Sequence, residues 1–554
     1  MATAQGTDRF DVIVVGSGGG AITGAIVAAK HGLKTLIVEK GAMWGGSSSL
    51  SGGGMWIPNN PVSVAAGLQD SFEEALTYME TVIGDVGPAS SRERKVAYLK
   101  QGPEVIRFLQ HEGVQFVAAM EYPDYYPDKP GGKIGRCVEY AFFDKRKLGE
   151  LGKTIRVAAE LPMPFHSGEA HHLPKAFTTP GHFFKTMGIM GRAMKRVTGQ
   201  QLVGLGNAMV AHLMYVARKY GVSLWLNSPC RRILVEDGRA VGIEVLKDGQ
   251  PVELRAGAIL LAAGGFDHNR EMRKKYHGID GWSVGNPDNT GDVIQQCMEL
   301  GVDMALLDDA WWGAVSIDPA GQPYFILWER SMPHCIVVDQ LGQRYTNESA
   351  SYVDFGHAML EQDRKTNGKA IPSWLIMESR HRNRYIFGMA MPRFTPKSYF
   401  ESGYFIKART LEELAQKCGI NAPNLLATVA RFNEMVEKGV DEDFGRGRTA
   451  YDRYYGDPTY PNPNLGKIEK GPFYAVKLYP GDLGTKGGIL TDEHARVLKG
   501  GVPIPGLYAT GNCTASVMGR TYPGPGATLG PAVVFGYIAA NHMVKLLKGG
   551  SDAA

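Results

Sequence analysis

Two sets of residues in this chain could do chemistry: glycines and an acid spaced to hold a dinucleotide, and tyrosines set in loops rich in proline and glycine. Gly16, Gly18 and Ala21 follow Val12-Ile-Val-Val15, a β-branched run that reads as a buried parallel strand. In the Gly-x-Gly-x-x-Ala spacing the first glycine turns the chain and the second lets backbone approach a pyrophosphate. The small third residue lets helix lie close on strand. Gly19 and Gly20 open the helix, whose free N–H groups carry partial positive charge toward the phosphates. Thr35 to Val38 is the next strand, and it ends in Glu39, where an acid accepts hydrogen bonds from an adenosine ribose; Lys40 comes next. The glycine spacing alone is a weak signal; strand, helix and acid together make it specific.

A second loop chooses the dinucleotide. Gly45-Gly46-Ser47 and Ser51-Gly52-Gly53-Gly54 expose backbone just past the ribose acid, where a ribityl chain can lie, so FAD is expected rather than NAD. Another buried strand, Ala258 onward, closes on Ala263-Gly264 and brings a further backbone loop toward the same nucleotide. Gly511 and Asn512 end a later segment of the same kind, and Thr528 and Leu529 belong to the glycine-rich run Gly519 to Ala532 that leads into an apolar helix, Val533 to His542. Such a loop faces a flavin ring or a substrate oxygen with free N–H groups. No His or Cys lies in an attachment motif, so the flavin is expected to be non-covalent.

Tyr122, Tyr125 and Tyr126 sit in Glu121-Tyr-Pro-Asp-Tyr-Tyr-Pro-Asp-Lys-Pro-Gly-Gly132, where the prolines forbid a regular helix and exposed aromatics need a reason. Tyr522 lies between the nucleotide loop and the start of the last helix. His166, Glu169, His171 and His172 share the proline-bounded stretch Leu161 to Pro174; they do not fall on one helical face, and a polar surface loop without metal is expected. His182 to Val197 mixes bulky apolar with basic residues, a composition that suits either a helix lying in a membrane interface or a buried helix with flanking charges.

A chain of 554 residues calls for more than one domain, and its net charge of +4 gives no reason to expect nucleic acid. Its six cysteines are scattered without a C-x-x-C, which fits a reducing compartment, and the polar start carries no secretory signal. No apolar run is long enough to span a bilayer, so a cytoplasmic protein is expected, or one that touches a membrane from outside through about 182–197. The expected fold is α/β: a Rossmann-like FAD-binding domain with a parallel sheet, in two parts, 1–308 and 480–554, plus an inserted α+β capping domain, 309–479. An irregular extra segment covers about 135–211, and Arg232 to Val245 reads as a hairpin around Asp237-Gly238.

The sequence resembles 3-ketosteroid dehydrogenases of the 1,2-dehydrogenating (Δ1) kind, within the fumarate reductase-like FAD superfamily. The resemblance covers most of the chain and is carried by Phe10 to Gly54, Pro123-Asp-Tyr-Tyr126, Arg344-Tyr-Thr-Asn-Glu-Ser349 with Tyr352, and Asp482 to Gly488 with Tyr522-Pro-Gly-Pro-Gly526. It implies that the Tyr522 hydroxyl and the Gly526 N–H hold a steroid 3-ketone, that Tyr352 takes the neighbouring proton, and that Tyr125 assists. It also implies a 3-ketosteroid as substrate and a quinone or electron-transfer protein as acceptor. Desaturation at carbons 4 and 5 and an enoate oxidoreductase are the alternatives. Fumarate reductases place arginine and histidines where this chain has tyrosines, so dicarboxylate chemistry is not implied.

Overall fold

The computed structural model describes residues 9–157, 164–194 and 199–549. Among these, an eight-stranded sheet grows around Arg9–Val15. Thr35–Val38 pairs with it in parallel on one side and Gln250–Leu261 on the other. Ser223–Trp225 and Val502–Ala509 extend the parallel run outward. The strand is covered on both faces, which is why it is apolar without alternation: Val12 and Val14 pack into one core with Ala21 and Ala25, Ile13 and Val15 into another with Val293 and Ile294. Helix Gly19–Lys30 lies against the long final helix, Leu529–Lys548. That helix extends well past the expected Val533 to His542 at both ends. The hairpin is present as Cys230–Glu236 and Arg239–Lys247, with Asp237 and Gly238 both at positive φ (48° and 75°), the turn whose twist suits a two-residue hairpin loop.

A separate seven-stranded sheet is largely antiparallel, with Phe473–Thr485 pairing both Ala310–Ile317 and Ser373–Met377. The boundary expected at 479/480 falls inside this strand, and Trp282–Ser283, from before residue 309, also pairs with it. Pro480 and Gly481 stay in register opposite Ala314 and Gly313. Helix Tyr352–Lys365 lies on Ala310–Ile317. Within 135–211, Cys137–Tyr140 joins Gly54–Trp56 and Phe116–Ala118 in a small sheet that ties this segment to the flavin-side loop. No helix of the described residues is long and apolar enough to cross a membrane.

Candidate active site

Four parallel strands end side by side, and each hands the chain to residues expected at the cofactor: Val15 to Gly16, Val38 to Glu39, Leu261 to Ala263, and Ala509 to Gly511. Ligands of open α/β sheets bind at such carboxyl ends. Gly16 has φ 102°, and a Cβ there would stand 2.3 Å from the Ala262 carbonyl oxygen, so no other residue turns the chain here. Gly20 is as tightly held, with the Ala532 carbonyl oxygen 2.3 Å from its Cβ position. The loops also bond to each other: Ser17 Oγ donates to Glu39 at 2.5 Å and accepts from Gly45 N at 2.9 Å, while Gly19 N donates to Ser48 Oγ at 3.0 Å. Burial raises the Glu39 carboxyl above its usual range, against the hydrogen bonds from Ser17 and Gly41. This set of exposed amides, bare glycines and one enclosed carboxylate fits a dinucleotide.

The second glycine loop closes the cradle. Ser47 Oγ accepts from Asn286 N and Asn289 Nδ2, both at 3.0 Å, and Gly264 lies against Asn289. Ser51 Oγ donates to the Ser48 carbonyl at 2.6 Å and accepts from Gly53 N; Gly46 and Gly52 have open space around their Cβ positions, apart from Ser167 near Gly52. Gly18 opens the first helix, and Thr528 and Leu529 open the last. The Lys40 ammonium donates to Thr290 at 2.6 Å and Asp292 at 2.7 Å. A small cavity is lined by Gly511, Asn512, Thr528, Trp311 and Lys486, and Trp311 in its wall donates to Asn512 and meets the Tyr522 ring edge-on at 5.2 Å.

Tyr125, Tyr352 and Tyr522, hundreds of residues apart in sequence, form one buried cluster. Tyr125 stacks on Tyr522 at 5.1 Å between ring centroids, Tyr352 meets Tyr522 at 4.9 Å, and the Tyr125 and Tyr352 hydroxyls are 3.5 Å apart. Burial, followed by the neighbouring phenols, pushes Tyr125 and Tyr352 well above the usual phenol range. Burial also raises Tyr522, opposed by its contacts with Tyr352, Thr528 and the Gly526 backbone. Gly526 lies four residues on in the same loop.

Each tyrosine is held from behind. Tyr125 N and the Tyr78 hydroxyl both donate to the Pro523 carbonyl, at 2.9 and 2.6 Å, which ties the Tyr125 loop to the Tyr522 motif. Gly524 lies against the Trp56 indole, whose Nε1 donates to Asp124 at 2.7 Å. Arg136, fully buried, grips Asp70 with Nε and Nη2 at 2.9 and 2.7 Å and Asp124 with Nη1 at 2.9 Å. Tyr352 opens its helix after a turn whose carbonyls at Glu348 and Ala350 accept from Arg330, while Glu348 is gripped by Arg344 and Arg446. Replacing Arg136 by Met leaves two carboxylates buried without their cation, so a loss of about 3–5 kcal/mol of stability is expected. Thermal unfolding of the FAD-loaded variant checks it; an unchanged midpoint would contradict the role given to this network.

Sequence reasoning missed the tyrosines behind the cluster. Ala450–Tyr455 is a short helix that presents Tyr451, Tyr454 and Tyr455; Tyr451 packs on Tyr125 at 4.4 Å, and the Tyr455 and Tyr122 hydroxyls are 2.8 Å apart. Their i, i+3, i+4 spacing was the available signal. The reading of Leu161 to Pro174 as a polar surface loop is corrected: His171 and His172 are 5% and 6% exposed. They turn inward because His171 Nδ1 bonds the Gly168 carbonyl and the Tyr454 hydroxyl, both at 2.9 Å. Burial first, then Lys175 and Lys185 respectively, lower His171 to about 2 and His172 to about 3. Leu161–Met163 and Lys195–Val197 lie outside the described residues.

Residues 11–529 match the family model described as FAD binding domain. The chain is 44% identical to the 3-oxosteroid 1-dehydrogenase of Mycolicibacterium smegmatis, over 96% of each chain. It is 42% identical to the protein of that name from Mycobacterium tuberculosis, over 97% of this chain and 98% of the other. The solved 3-ketosteroid delta1-dehydrogenase from Sterolibacterium denitrificans, in complex with 1,4-androstadiene-3,17-dione, superposes with a TM-score of 0.92 at 38% identity, covering 97% of this chain and 100% of that one. The dinucleotide of the cradle is FAD. Glycine loops at four strand ends, three phenols gathered beside them and full-length similarity lead to one assignment: this chain belongs to the 3-oxosteroid 1-dehydrogenase family of FAD flavoproteins.

Proposed function

We propose that the protein removes hydrogens from carbons 1 and 2 of 3-ketosteroids, as a step in steroid degradation. The observation that supports this best is the convergence of Tyr125, Tyr352 and Tyr522 in one buried cluster, with Gly526 in the loop of Tyr522. Bound FAD supplies a hydride acceptor for the β-carbon. The Tyr522 hydroxyl and Gly526 N–H donate to the 3-ketone oxygen and hold the charge that develops there as the α-proton leaves. Tyr352 takes that proton. At a reference pKa of about 10 only about one phenol in a thousand is ionised at pH 7, and burial lowers that share further. Tyr352 therefore needs its anionic form stabilised, and the Tyr125 hydroxyl, which donates to it at 3.5 Å, supplies that stabilisation. Tyr125→Phe is expected to slow turnover less than Tyr352→Phe and to displace the rising limb of the pH profile, read from initial rates between neutral and alkaline pH.

Anaerobic mixing with androst-4-ene-3,17-dione tests the activity. Bleaching of the flavin with formation of the 1,4-diene is expected. An unbleached flavin, or a product altered at carbons 4 and 5 from a 5α-reduced ketone, would refute it. A quinone or an electron-transfer protein is the proposed acceptor.

A peripheral membrane contact is part of the same reading. Helix Pro180–Met194 buries only Thr186 and Ile189 and leaves Phe183, Phe184, Met187, Met190 and Met194 exposed, Phe184 by 71%, with Lys185 and Arg192 on the same helix. Apolar side chains flanked by cations suit a headgroup boundary, and a lipid surface would supply a poorly soluble sterol. Co-sedimentation with anionic liposomes is expected, weakened by F184S/M194S; equal sedimentation of both forms would count against it.

A further inference from the structure

Glu121 begins the loop that carries Tyr125, and beside it lie two inward-facing histidines that the proposed reaction does not use. Ligand atoms of Glu121, His171 and His172 all lie within 4.8 Å of one another. The tautomer of His171 follows from its partners. The Tyr454 hydroxyl donates to the Gly168 carbonyl at 3.0 Å, so its proton is spent, and His171 Nδ1 sits 2.9 Å from both of those oxygens. Nδ1 must therefore carry the hydrogen, which leaves Nε2 as a bare lone pair. That lone pair faces Glu121 Oε2 at 3.4 Å. Two acceptors pointed at each other repel unless a proton or a metal ion lies between them, and an imidazole this enclosed gives up a proton more readily than a lone pair.

We propose that Glu121, His171 and His172 form a site for a divalent, borderline-soft cation such as zinc. The spacing suits it: ligand bonds of about 2.0–2.1 Å at the tetrahedral angle put ligand atoms about 3.3 Å apart, close to the Nε2 to Oε2 separation. The supporting bonds suit it too. A metal-bound histidine is oriented by a bond from its other ring nitrogen, and the Gly168 carbonyl does this for His171 while His182 Nδ1, at 2.9 Å, engages His172 Nδ1. Glu121 is 65% exposed, which gives the ion a way in and leaves a position for water. The charges that oppose it are Lys185, whose ammonium is 3.7 Å from the other Glu121 oxygen, and Lys175, which is committed to the Tyr454 carbonyl at 2.9 Å. The ion would pin the loop of Tyr122 and Tyr125 to the turn Ser167–His172.

Equilibrium dialysis of the tag-free, FAD-loaded full chain against Zn²⁺, with elemental analysis, tests this. One zinc per chain is expected, removed by chelator with the flavin spectrum unchanged, and a rise in melting temperature on adding zinc. E121Q and H171N should each weaken binding at least about tenfold and abolish that rise, whereas K185A, by removing the competing ammonium, should tighten it. Cobalt(II) offers a second reading that needs no variant: visible absorption of a four- or five-coordinate ion is expected in the unaltered chain. No stoichiometric zinc, cobalt in a purely aqueous spectrum, or binding in E121Q equal to that of the unaltered chain would overturn the site.

Discussion

Tyr352→Phe should lower kcat by about 10²–10⁴-fold, the range that a positioned proton acceptor supplies, with FAD content and steroid binding retained. The ring stays in place in this variant, wedged edge-on against Tyr522, Tyr125 and Phe325, so packing is kept and only the oxygen is lost. The pH profile gives a second reading. Burial holds the Tyr352 phenol well above its usual range, so it is protonated at neutral pH and the reactive form grows as pH rises. The unaltered enzyme should therefore gain activity toward alkaline pH, and the variant should keep only a small rate without that rise. Anaerobic single-turnover reduction of the flavin by steroid measures both. A near-normal rate in Tyr352→Phe removes this residue from the chemistry and with it the proposed route for the proton.

How much of this was visible in the sequence depends on whether a residue's signal was local. The cradle was local: a glycine that must turn, a helix that must start and an acid at the end of the next strand are fixed by spacing along one βαβ unit, and they lie at neighbouring strand ends as expected. The ammonium of Lys40 bonds Asp292, 252 positions on, a contact that adjacency to Glu39 gives no hint of. Tyr125 and Tyr522 stood out as loop tyrosines among prolines and glycines and Tyr352 only by resemblance, and nothing in their own segments says that they meet. Tyr451, Tyr454 and Tyr455 carried a helical stripe that reads as ordinary core until its partners are known. Arg136 and Asp70 bond across 66 residues, and a buried ion pair of that kind looks in sequence like two surface charges. The boundary at 479/480 was drawn on a change of composition, which carries no sign that Phe473–Thr485 runs on through it with Pro480 in register opposite Ala314.

Tyr522→Phe should cost about 10²–10³-fold in kcat, about 2.7–4 kcal/mol, the loss seen when one donor to a developing oxyanion is removed. Gly526, the other donor, offers no clean test. Its φ is 89°, and a Cβ would stand 2.1 Å from the Gly54 carbonyl oxygen, so Gly526→Ala would push the strand Gly54–Trp56 aside before it altered any hydrogen bond. Tyr522→Phe leaves Tyr352 and Tyr125 in place, so the alkaline rise in rate should persist on a lower curve, and this separates it from Tyr352→Phe. Because Tyr352 also contacts the Tyr522 hydroxyl, the two substitutions share part of their effect, and the double variant should lose less than the product of the two. The decisive quantity is where the loss falls. If the hydroxyl stabilises the enolate more than the ketone, kcat and kcat/KM drop together; if KM alone rises, the hydroxyl holds substrate and transition state equally, and the stabilisation assigned to it must come from elsewhere.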